Sequence, residues 1–222
     1  MIFVLPDREH KSLYTYLIKG GLMKNILLVS LVTLLAVSIS FSQFGIKGGI
    51  DLGTFSGADK SLGGVDPTHY TGFAGGISYR IGLIAGLSLQ PEFMYIQKGA
   101  IYEDPNNKIT MQLQYLEIPL LVKFNFPIPV ISPYIEGGVS YGMLFLPKEK
   151  NEQITNGMTV SSSETVIKNL TKSDFSIVFG AGVDLLFLDL DARYVLGQKK
   201  LSDISDAKVF NQGLILTAGL RF

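Results

Sequence analysis

The chain has 222 residues with 19 basic and 19 acidic side chains, a formal net charge of zero, which excludes strong electrostatic steering toward nucleic acid. Hydrophobic residues make up 47% and the mean hydropathy is +0.31, yet no apolar run reaches the roughly 20 residues that a helical membrane span needs. Cysteine is absent, so disulfide frameworks, zinc ribbons and thiol nucleophiles are excluded.

Residues 23–42 read as an export signal. Met23-Lys24-Asn25 gives a short positive start, Ile26–Ile39 an apolar core, and Ser40-Phe41-Ser42 the small residues before a cut at Gln43. The alternative, a membrane-anchor helix, is disfavoured because the core is too short to span. Residues 1–22 are read as a segment ahead of the true start at Met23, or else as an extended positive region of the signal. The folded domain is then 43–222.

From Phe44 onward the apolar period is two, the signature of strands. Eight segments follow: Phe44–Gly53, Thr71–Ile81, Ile84–Lys98, Met111–Asn125, Ser132–Phe145, Ser173–Asp184, Phe187–Gly197 and Asn211–Phe222. Most reach the roughly 9–11 residues that a tilted strand needs to cross a bilayer. In each segment one alternate set is uncharged, as in Leu116, Ile118, Leu120, Val122 and Phe124, although 17% of the chain is charged. The interleaved set carries Lys47, Asp51, Arg80, Glu92, Glu117, Lys123, Glu136, Asp184, Asp189, Asp191, Arg193 and Arg221.

Alternation alone also fits a soluble lipocalin-like barrel with the apolar set inside. Three features favour the reverse orientation. The charged set is rich in glycine (Gly45, Gly49, Gly76, Gly86, Gly138, Gly142, Gly180, Gly182, Gly213, Gly219), which suits a narrow eight-stranded interior better than a water-facing surface. Its opposite charges can pair across a filled lumen. The export signal points to a membrane. The expectation is an all-β, up-and-down, eight-stranded antiparallel transmembrane barrel with a filled lumen and little conductance.

The connections alternate in length. Long polar ones are expected at Thr54–Tyr70, Gly99–Thr110, Leu146–Lys172 and Gln198–Phe210, and short ones near Gly82, across Phe126–Ile131 and near Leu185–Leu186. Long loops outside and short turns in the periplasm would put both termini in the periplasm. Phe44, Tyr79, Tyr95, Phe124, Phe145, Phe175, Tyr194 and Phe222 mark the strand ends, where an aromatic belt belongs. Pro91, Pro119 and Pro133 resist the strand assignment, because proline cannot donate a ladder hydrogen bond; Pro91 and Pro119 call for bulges or breaks.

The fourth segment reads Tyr115-Leu116-Glu117-Ile118-Pro119-Leu120, with Leu121-Val122-Lys123-Phe124 following. It resembles the YLEIPLLLK motif of the PorT-like outer-membrane β-barrel family, common in Bacteroidota. Gly45-Ile46-Lys47-Gly48-Gly49 resembles that family's first strand, and Tyr134-Ile135-Glu136-Gly137-Gly138 its fifth. Phe222 resembles the terminal aromatic that barrel-assembly machinery recognises. The resemblance covers 43–222 and implies an outer-membrane location and a fold more than an activity; some members act in protein secretion and gliding. The expected partners are outer-membrane lipid, the assembly machinery and other envelope proteins, with the chain itself a monomer.

Chemistry is sparse. His10 lies in the segment expected to be absent, and His69 sits in the first long loop. A lipid-modifying barrel enzyme with His69 as base and Ser56 or Ser61 as nucleophile is an alternative that no spacing supports. Gly72–Gly76 lacks the following Lys-Ser/Thr of a phosphate loop, and Asp184, Asp189 and Asp191 lack calcium-loop spacing, so no catalytic, cofactor or metal site is assigned. Asp189 and Asp191 are expected to pair with Arg193 or Arg80. A rigid anchor presenting four loops is the leading functional reading, an accessory of a secretion or gliding complex is a second, and a small pore is a third.

Overall fold

The computed structural model describes residues 43–126, 128, 130–155, 158–167, 170–202 and 208–222. The segments 1–22 and 23–42 lie outside them. The described residues form strands β1 (Phe44–Ser56), β2 (Thr68–Tyr79), β3 (Ile81–Ile84), β4 (Leu87–Glu103), β5 (Asn107–Asn125), β6 (Ile131–Thr155), β7 (Met158–Val166), β8 (Ser173–Leu185), β9 (Leu188–Gly197) and β10 (Phe210–Arg221). All pairings are antiparallel. The sheet runs β2-β1-β10-β9-β8-β6-β5-β4, and β2 pairs with β4 to close the ring. Eight strands therefore form the barrel: β3 continues β2 along β4, and β7 folds back on the far end of β6.

The orientation follows the alternation. Ile46, Phe73, Ile118, Val122, Ile135, Phe179 and Leu220 point outward, while Lys123, Glu117, Asp51, Arg193 and Glu92 are buried in the lumen. Lipid replaces water around the outward set, so its exposure carries no hydrophobic penalty. In β1, β4, β5 and β10 the outward apolar run covers Phe44–Leu52, Leu87–Tyr95, Leu116–Phe124 and Leu214–Phe222. At ~3.3 Å per residue and a ~40° tilt each run spans roughly 20 Å. Tyr95 stacks obliquely between Phe73 and Phe145, with centroids 6.3 and 5.9 Å away, at one border of this band. Beyond it the outward residues turn polar, with Gln97 and Gln114 both bonded to Tyr95 Oη.

Several sequence expectations need correction. Residues 99–110 are not a loop: β4 and β5 run on and are joined through Asp104, Pro105 and Asn106, with the Asp104 carboxylate accepting the backbone N–H of Asn106 and Asn107. Leu146–Lys172 is largely strand, because β6 extends to Thr155 and pairs with β7 as a projecting ribbon. Its polar composition misled the reading: outside the bilayer nothing selects apolar residues for the outward face, so the period-two signal fades. The first short turn lies at Ala85-Gly86 rather than Gly82, and Gly86, with φ +77°, serves that turn and not the lumen. Pro91 and Pro119 require no bulge, but the expected local break is present: the β4–β5 ladder skips Glu92 and Phe93, the positions opposite Pro119 and Ile118, and resumes in the same register at Met94↔Glu117. Pro91 also lies opposite the break between β2 and β3, where a missing N–H costs nothing further. The bulge in β5–β6 falls elsewhere, between Gln114 and Tyr115.

Both other short turns carry a bulky residue in the left-handed region: Val130 at φ +73° and Leu186 at φ +54°. Such a conformation costs an L-residue about 1–2 kcal/mol, and a β-branched one is unusual there.

Candidate functional site

The interior is stratified. Toward the short turns lie two ionic clusters joined through Gln90, which accepts from Arg80 and donates to Glu92. Arg193, from β9, bonds Glu92 of β4, Glu136 of β6 at 2.6 Å and Asp191 at 3.1 Å. Lys47, from β1, bridges Asp191 at 2.6 Å and Glu92 at 3.2 Å. Lys123, from β5, holds Asp189 at 2.7 Å and sits 3.3 Å from the Tyr134 ring centroid, whose hydroxyl donates to Asp189. Arg80 joins Asp184 and Asp189 at 2.7 and 3.1 Å, and Arg221 reaches Asp184 at 3.3 Å. These two arginines are partly open at the rim; the others are buried. Glycine makes the space: a Cβ on Gly180 would stand 2.9 Å from Glu136 Oε1 and 3.1 Å from Arg193 Cγ.

Above this network an apolar belt of Ala74, Met94, Ile96, Val178, Val195 and Ile215 crosses the lumen. Above the belt is a second ionic group. Lys98 contacts Glu117 at 2.6 Å and Asp174 at 3.4 Å, and Asn211 donates to Asp174. Asp51 lies within electrostatic reach of Lys98 and Glu117, but its Oδ2 is buried without a hydrogen-bond partner among the described residues. The mouth is closed by Phe55, Ala100, Tyr102, Leu113, Tyr115 and Leu201, against which Val65, Ile167, Leu170 and Val209 pack from the long connections. Interior spaces of about 10 Å³ remain at the belt and near the rim, room for roughly one water each.

All twelve charges expected in the lumen line or cap it. The structure adds Lys98 and Asp174, which sequence reasoning passed over. Both were legible: Lys98 is an even number of positions from Glu92, and Asp174 from Asp184, so each shares its neighbour's face. The partners Gln90, Asn125, Tyr134 and Asn211 carry no comparable signal. His69 lies in a shallow recess with Tyr70, Gln112 and Lys150, and no serine lines it among the described residues. Ser61 instead donates to Asp66 at 2.5 Å. No group of three or more His, Cys, Asp or Glu able to hold a metal ion occurs among the described residues.

The family described as outer membrane protein beta-barrel domain matches residues 36–204. No curated protein matches. Solved structures similar to this chain include Ail, the attachment invasion locus protein of Yersinia pestis, in complex with the heparin analogue sucrose octasulfate. It is 17% identical, with 81% of this chain and 98% of that chain covered and a TM-score of 0.42. OprG from Pseudomonas aeruginosa is 12% identical over 81% and 95%, with a TM-score of 0.45. The outer membrane enzyme PagL is 11% identical over 80% and 99%, with a TM-score of 0.47.

Proposed function

The chain belongs to the outer membrane protein beta-barrel domain family, and from that premise we propose that it is a non-enzymatic anchor that presents a projecting ribbon to another envelope protein. The supporting observation is β6–β7. Every residue of β7 is exposed, and β7 pairs with β6 alone among the described strands, leaving its other edge unpaired. An unpaired edge offers backbone donors and acceptors to an incoming strand. The sealed mouth and the filled lumen argue against solute passage as the main role.

In this reading residues 23–42 direct export and Phe222 engages the assembly machinery. The short turns and both termini face the periplasm, the ribbon faces outside, and the barrel is a monomer of PorT-like type. The test replaces residues 149–165 with a tight turn and compares proteins co-purified after cross-linking in cells. The intact chain should retain a partner that the shortened chain loses, while both stay folded by gel heat-modifiability. Identical partner sets would contradict the reading.

A further inference from the structure

The short-turn end of the barrel is unusually greasy for a surface that would face water. Ile84, at the end of β3 beside the first short turn, and Val130 and Leu186, in the other two, are 74%, 75% and 76% exposed, more than any side chain of the lipid-facing band, where Phe222 reaches 58%. Leu83, Phe126, Ile128 and Phe187 flank them along the chain and are exposed as well. The three turns with their flanking residues, 81–86 (β3 included), 126–131 and 185–188, contain no charged residue, while the long connections at the opposite end carry Lys, Asp and Glu. Water-facing turns ordinarily recruit Gly, Asn, Asp and Ser.

The backbone sharpens the point. Val130 and Leu186 are the only non-glycine residues at positive φ among the described residues, and both stand at turn tips. A glycine or asparagine would adopt that conformation with less strain. A bulky apolar residue there is favourable only if its side chain leaves water.

The band supplies the environment. The outward apolar runs of β1, β4, β5 and β10 span roughly 20 Å, less than the ~25 Å apolar band of an outer-membrane barrel. The turns continue this band without a break: Phe126 packs edge-on against the lipid-facing Phe124, with centroids 5.2 Å apart. Adding the turns brings the apolar height into register with the bilayer, the usual response to hydrophobic mismatch.

We propose that the three short turns are seated in the lipid leaflet at the end carrying the termini, extending the apolar belt of the barrel rather than projecting into water. The proposal rests on the membrane placement of the barrel and not on the partner assigned to the ribbon.

The chain contains no tryptophan and no cysteine, so single probes report cleanly. Ile84→Trp, Ile128→Trp and Phe187→Trp place one probe in each turn and avoid the left-handed positions. The full-length chain is reconstituted in phosphatidylcholine vesicles with brominated acyl chains. Val139→Trp on the lipid-facing band and Asn106→Trp at the far hairpin tip serve as references. The turn probes should show blue-shifted emission, a bromine-dependent intensity loss comparable to Val139→Trp, and little quenching by iodide. Emission and iodide quenching like those of Asn106→Trp would overturn the proposal and leave the turns as a water-facing surface for a protein partner. Failure of Val139→Trp itself to be quenched would instead refute the membrane reading. If a tryptophan variant does not fold, the corresponding cysteine variant is labelled with an impermeant maleimide. Reaction much slower than Asn106→Cys supports lipid burial, and equal rates overturn it.

Discussion

The two ionic layers of the lumen obey different balances. Near the short turns, Lys47, Arg80, Lys123, Arg193 and Arg221 face Glu92, Glu136, Asp184, Asp189 and Asp191, one cation for each carboxylate. Beyond the apolar belt, Lys98 alone serves Glu117 and Asp174, with Asp51 close by and outside any ion pair among the described residues. Asp51 Oδ2, Asp174 Oδ1 and Asn211 Oδ1 are buried there without hydrogen-bond partners. The balanced layer ties β1, β4, β5, β6, β8 and β9 together across the ring and acts as the plug. The unbalanced layer should contribute less to stability and tolerate the loss of a carboxylate.

The largest effect that would test this contrast is Arg193→Met. It removes an ion pair from three buried carboxylates at once, leaving Glu136 with no cation and Glu92 and Asp191 with Lys47 alone, so unfolding in urea from lipid vesicles should be easier by about 3–5 kcal/mol. A change below about 1 kcal/mol would place the plug's strength elsewhere. Lys98→Met should cost about 3 kcal/mol, the low end of that range, because Ser140 and Asn211 still donate to Glu117 and Asp174 when the cation is gone. Equal losses for the two variants would erase the distinction between the layers.

Asp51→Asn should go the other way, neutral or stabilising by up to about 1 kcal/mol, since it removes a buried charge that has no cation of its own. A clear loss of stability would show that Asp51 is engaged after all. The smallest effect lies outside both layers. At the β4–β5 tip the backbone N–H groups of Asn106 and Asn107 hold the Asp104 carboxyl below its usual pKa. A lowered folded-state pKa means that this support is present above the ordinary carboxylate value and is lost as pH falls through the folded value. Exchange protection at the Asn106 and Asn107 amides should therefore fall on acidification, and at neutral pH in Asp104→Ala, without loss of the barrel. Unchanged protection in Asp104→Ala would remove the carboxylate from the account of this turn.

The sequence exposes the part of the fold that lipid enforces. Wherever a strand crosses the bilayer, one face must be apolar, so Leu116–Phe124 and Leu214–Phe222 announce a strand and the residues that share a face, while the glycine and paired charge of the other face give the orientation. Where the same strands leave the bilayer, Gln112, Lys148 and Lys150 take the outward positions, and the continuation reads as loop. Charge in the lumen is legible by parity, to the point that Lys98 and Asp174 should have joined the set. The pairings are not legible. Lys47 meets Asp191 across 144 residues, and Arg193 meets Glu92 across 101, because the stagger of the closed ring decides which levels coincide. The left-handed Val130 and Leu186 were equally hidden, since neither is a residue that turn chemistry would nominate.

The claim on which these contrasts depend is that the lumen is closed by its own side chains. Planar-bilayer recording of the refolded full-length chain tests it most directly. The account predicts a flat baseline at moderate voltage, and steady, large single-channel steps would contradict it.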